Sequence, residues 1–292
     1  MSAPPAPLPP TSPASPERRG GRLGSAPWLL FGISLVGLAA FTYPLLLPAL
    51  LPMVGMTETG QTPRTAEAPL LLAIIAMGCV VAMLLDVSRA EQSQQLGTAR
   101  TVAMLGALIA IDASLRLVPS ISGASLIFGL IILVGAVFGS RIGFVMGTLT
   151  LLLSAAITGG IGPWLPFQML GAGWVGMGAG LVKVPESVTR RTLIPLAVYA
   201  AASGFIYGAL LNLYDWPFLS PGGSELPGLA WSPGLGLAET LRRYGAFYLT
   251  TSLWHDAARA AANVLFVLVI GPPVVRLLRR QSLHANWSRI DP

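Results

Sequence analysis

Ser252, His255, Asp256, Arg259 and Asn263 fall within one long apolar stretch near the end of the chain. Positions 252, 256, 259 and 263 are three or four apart, so a helix puts them on one face. A charge inside a bilayer costs about 2.5–3.5 kcal/mol to insert and so needs a partner. Asp256 and Arg259 can supply that partner to each other. Counted from about residue 246, they lie roughly 15–20 Å into the apolar stretch. A structural ion pair is one reading, and ligand binding or ion passage is the other. His255 adjoins Asp256 but projects about 100° away around the helix. It is the one support for acid–base chemistry, and neither His255 nor His284 has metal-ligand spacing.

A second group sits at Thr158-Gly159-Gly160-Ile161-Gly162-Pro163-Trp164-Leu165-Pro166-Phe167-Gln168-Met169. Glycine permits unusual φ and proline stops a helix, so the chain turns sharply and starts a new helix near Pro163 or Trp164. Trp164 and Gln168 then share a face. That face offers an aromatic plane and an amide that needs a hydrogen-bond partner, the makings of a ligand-binding corner. A third group, Tyr207, Asn212 and Tyr214, ends the following apolar run and can face the same cavity. Beyond it, residues 214–245 carry Trp216, Trp231 and several prolines and glycines. They read either as a membrane-surface anchor or as a lid. Asp112 and Arg116, four apart, read as a local salt bridge.

Other chemistry is excluded by what the sequence lacks. There is no GxxxxGK[ST] loop, no HExxH and no G-x-S-x-G, so ATP hydrolysis by a P-loop, zinc-protease chemistry and a serine elbow are not indicated. Cys79 is the one cysteine. The net charge of +6 does not signal nucleic acid, because the basic residues sit in short clusters between apolar runs.

The elements that must position these residues are membrane helices. The chain is 53% hydrophobic and 10% charged, with a mean hydropathy of +0.69, against about 25% charged in soluble domains. Apolar runs at about 27–51, 68–86, 99–118, 123–139, 141–160, 164–182, 192–213 and 246–271 each approach the length of a bilayer span. This predicts an all-α integral membrane protein with about eight spans. With the N-terminus inside, the cytoplasmic segments hold most of the Lys and Arg, among them Arg18, Arg19, Arg22, Arg141, Lys183, Arg276 and Arg279. The outer segments hold Arg64, Arg116, Arg242 and Arg243. That asymmetry favours both termini inside. Residues 1–26 form a Pro-rich tail without a signal-peptide pattern, residues 27–90 a two-helix leader, residues 97–280 the core, and residues 281–292 a second tail. Small residues recur every four positions at Gly135-Gly139-Gly143-Gly147, Ala172-Gly176-Gly180 and Gly204-Gly208, which predicts close helix packing. Ala99, Ala103 and Ala107 give the first core helix a flat face, suited to packing or to another membrane subunit.

Three of these features together resemble the substrate-binding S component of energy-coupling factor (ECF) transporters. They are the alanine face Ala99-Ala103-Ala107, the stretch Gly123-Ala124-Ser125-Leu126-Ile127-Phe128 leading to the glycine stripe, and Gly159-Gly160-Ile161-Gly162-Pro163-Trp164-Leu165-Pro166-Phe167-Gln168. The likeness spans about residues 97–280 and is strongest to members of cobalamin type or unassigned substrate. It implies a six-helix bundle in the cell membrane that binds a vitamin-like small molecule near the outer surface. Its implied partners are a transmembrane coupling subunit, docked at Ala99, Ala103 and Ala107, and two ATPase subunits. Ligand contacts map to Trp164, Gln168, Asn212 and Tyr214. The leader at 27–90 departs from the pattern and puts the docking geometry in question. The competing readings are an ion-coupled secondary transporter, which would show repeated halves, and a membrane scaffold without a ligand.

Overall fold

The computed structural model describes residues 26–50, positions scattered through 74–81, and residues 97–118, 122, 124–219, 228–232 and 234–287. Their helices are α1 (Ala26–Leu50), α2 (Gly97–Leu115), α3 (Ile127–Phe138), α4 (Ser140–Thr158), α5 (Leu165–Ala179), α6 (Ile194–Leu219), α7 (Leu237–Thr251), α8 (Leu253–Val269) and α9 (Gly271–Trp287). α4 and residues Ile194–Phe218 of α6 are long and apolar enough to cross a bilayer, and α8 and α9, bent by 61°, form a third, broken candidate. Shorter apolar helices run at Trp28–Tyr43, Val102–Leu115 and Ile127–Phe138. Phe31, Leu35, Leu153, Ile157, Val198, Ile206 and Leu265 all point outward. So much exposed apolar surface suits lipid rather than water. The chain is an all-α membrane protein. The second leader run, 68–86, falls largely outside the described residues.

The glycine stripes lie where helices cross. A Cβ at Gly135 or at Gly143 would collide with the Gly176 carbonyl, and one at Gly147 with the Ala172 carbonyl. α3, α4 and α5 therefore meet backbone to backbone, the close approach that packs helices in lipid. Gly139 joins α3 to α4 at φ +93°, a conformation that side chains disfavour. This makes the tight turn between the fourth and fifth apolar runs. α6 and α8 cross at Gly204, where a Cβ would come within 2.9 Å of Ala260 Cα.

The leader helix α1 docks on α4, α5 and α6. Phe41 is fully buried, edge-on to Phe167 at 5.2 Å, and Trp174 donates its indole N–H to Ser34 Oγ at 2.9 Å. Among the described residues α1 does not touch α2.

The C-terminal region differs from the single run expected over 246–271. The chain breaks at Ser252 and again at Ile270, giving α7, α8 and α9. Pro272 and Pro273 occupy the first turn of α9, where their missing N–H groups have no helical role, and this fixes the second break. α7 holds Glu239, Arg242 and Arg243 and is not a span; its first residues replace the end of the expected long loop. α6 also runs on to Leu219, through Pro217. At the opposite end of the bundle Arg276 and Arg279 on α9 donate to the carbonyls of Val184, Pro185, Glu186 and Val188. These bonds tie down the α5–α6 connection.

Candidate functional site

Six helix ends converge at one end of the bundle. They are the C-terminal end of α2, the C-terminal halves of α4 and α6, the N-terminal ends of α3 and α5 and the N-terminal half of α8, as expected when successive helices alternate in direction. Between them lies a cavity of about 270 Å³. Its polar lining is Arg116, Ser125, Gln168, Tyr207 and Arg259; Val118, Ile127, Phe128, Leu151 and Leu211 complete the wall.

Arg259 is held from three sides. Asp256, 3% exposed at its side chain, forms an ion pair with it. Arg259 also donates to the Gly204 carbonyl at 3.3 Å, and its guanidinium lies 5.2 Å from the Tyr207 ring centre and 6.0 Å from that of Phe128. Asp256 in turn accepts a hydrogen bond from Tyr248 on α7 at 2.8 Å. A Cβ at Gly208 would collide with this carboxylate, so the α6 glycine gives Asp256 its room. Because α8 starts at Leu253, Asp256 and Arg259 lie roughly 5 and 9 Å along it rather than deep in a longer span. Phe128 and Tyr207 meet edge to face at 4.6 Å and form an aromatic wall.

The sequence-predicted residues divide. Gln168, Tyr207 and Arg259 line the cavity, with Asp256 behind Arg259. Trp164 is 47% exposed and donates its indole N–H to the Gly160 carbonyl, outside the cavity. Trp164 is in helical register with Gln168, whose N–H donates to its carbonyl at 3.0 Å, but its indole turns back to Gly160 instead of into the cavity. Tyr214 is buried against Phe167, rings stacked at 3.6 Å, and Phe41 abuts it at 6.5 Å. It belongs to the joint between leader and core. Asn212 does not line the cavity, and His255 faces outward. Asn263 is buried and donates to the Ala200 carbonyl at 3.2 Å.

Arg116 was hidden by its neighbour in sequence. Asp112 and Arg116 do not form the salt bridge that their spacing suggests. Asp112 is fully buried beside Thr150 of α4 without meeting hydrogen-bond geometry, while Arg116 reaches the cavity. Position 112 faces α4 and position 116 lies just past the end of α2, so the helical register that would pair them has ended. The one available signal was that Arg116 stands among the few basic residues outside the basic-rich segments. Ser125 and Phe128 lay within a stretch noted only for its likeness.

Two contacts extend from this end of the bundle to the segment before α7. Trp216 donates to the Leu229 carbonyl at 2.8 Å and Arg243 to the Ala230 carbonyl at 3.1 Å. On α2, Ala103, Gly106, Ala107 and Ala110 are exposed. Ala99 lies on the same helix, but its side chain falls outside the described residues.

Among the described residues, apolar helices enclose a small polar cavity, an architecture that suits a membrane protein of the solute-binding class. The family model for the ECF transporter substrate-specific component matches residues 100–271, more than half of the chain. The protein belongs to this family of S components. It is therefore a substrate-binding subunit that works with partner subunits of an ECF transporter. No curated protein and no solved structure matches the chain.

Proposed function

We propose that the protein captures a vitamin-sized molecule at the outer face of the plasma membrane. It hands that molecule to a transmembrane coupling subunit driven by two ATPase subunits. The observation that carries this reading is the cavity between the six helix ends, lined by Gln168, Tyr207, Arg116 and Arg259. A motor on separate subunits is consistent with the lack of a P-loop in this sequence. In this reading both termini are cytoplasmic, the core is residues 97–280, residues 27–90 are its leader, and α1 of that leader braces the core from the side of α4 to α6. The exposed small-residue face at Ala103 and Ala107, continued by Ala99, is the surface offered to the coupling subunit.

A volume near 270 Å³ suits a compact ligand. Affinity purification of a tagged chain at native expression tests the partner claim. Recovery of a coupling subunit and ATPases is expected, and recovery of the chain alone would refute it.

A further inference from the structure

We infer that the cavity takes a compact organic monoanion whose carboxylate is received by Arg116 and Arg259. The inference rests on the binding role proposed above and specifies its ligand class.

The first observation is charge. The described lining holds two guanidiniums and no carboxylate. Guanidinium stays charged at any physiological pH. Asp256 balances Arg259 through their ion pair and is not itself part of the described lining. Asp112, the other acid nearby, lies beside Thr150 and makes no ion pair with Arg116. Among the described residues of the lining one positive charge is left over, which matches a single negative charge on the ligand.

The second observation is an unmet donor. Arg116 Nη1 is buried and has no hydrogen-bond partner. A buried charged donor without an acceptor is costly, and a carboxylate oxygen would satisfy it with a charge-assisted bond. The rest of the wall fits the other end of such a molecule. Phe128 and Tyr207 present ring surface, Leu151 and Leu211 present apolar surface, and Gln168 and Ser125 offer hydrogen bonds to a polar substituent. Among the described lining residues a cation would meet two guanidiniums and no acid to receive it.

The test begins with full-length protein purified from cells that express it at native level. Small molecules released on denaturation are identified by mass spectrometry. The identified acid and its own primary amide are then titrated calorimetrically into protein emptied by dialysis. The expected ligand carries one carboxylate, and its amide binds at least tenfold more weakly. Arg116→Gln should weaken the acid at least tenfold and erase the difference between acid and amide, while Arg116→Lys restores part of it. A simple loss of folding would weaken both ligands alike, and the melting temperature of each variant separates that case. A neutral or cationic released ligand, or an amide that binds as well as the acid, overturns the inference and leaves the binding role standing. Protein that releases no small molecule and supports no uptake overturns the binding role, and the inference with it.

Discussion

Asp256 is the residue on which the cavity's geometry turns. It holds Arg259, accepts from Tyr248 and fits against Gly208. Removing one partner of a buried pair leaves the other uncompensated, at a cost of about 3–5 kcal/mol. Asp256→Asn should therefore lower stability by about that amount, and denaturant or thermal unfolding in detergent measures it. Adding Arg259→Gln should recover part of the loss. A double-mutant cycle that shows no coupling between the two positions would contradict the pairing. Tyr248→Phe removes one neutral donor to a charged acceptor and should cost about 1.5–3 kcal/mol, read in the same unfolding assay. The pair itself was legible from the i, i+3 spacing in an apolar run. Arg116 was not, because the same spacing rule paired it with Asp112, and only the end of α2 shows that the two diverge.

At the scale of elements, the glycine stripes were legible because in lipid small residues mark close crossings. Gly176→Ala would drive a methyl into the Gly143 carbonyl, a backbone atom that cannot swing away. About 1–3 kcal/mol is the usual cost of overpacking, and the upper end is expected here, seen as a lower melting temperature. The break at Ser252 was not legible. Residues 246–271 read as one span because apolar residues continue through it. The last residues of α7, 246–251, carry no charge, so nothing in composition marks the break at the serine. α7 is also where pH enters. Hydrogen bonds from Arg242 and then Arg243 hold the Glu239 carboxyl down from 4.5 to about 2. The folded value is the lower one, so the pairing contributes fully above the unfolded value and is lost as pH falls through about 2. A carboxyl NMR titration should show Glu239 still ionised at pH 4, and a midpoint near its ordinary value would mean that the pairs do not persist.

On the scale of the whole molecule, the proposed function assigns capture and docking to two surfaces on different sides of the bundle. The cavity opens at the end where six helices converge, and the alanine face of α2 runs along the flank. The leader helix raised the question of whether that flank is covered. α1 packs against α4, α5 and α6 and, among the described residues, leaves α2 untouched, so the proposal expects docking and capture to be alterable separately. Helix identity and the membrane class were legible from run lengths alone. The placement of the leader was not, because it depends on Phe41, Trp174 and Tyr214 meeting from three distant parts of the chain. The most direct test replaces Ala103 and Ala107 together by leucine and measures two things on the same preparation: the amount of bound small molecule and the recovery of partner subunits. The account predicts unchanged ligand occupancy with partner recovery reduced at least tenfold. Full partner recovery from the double variant would contradict it.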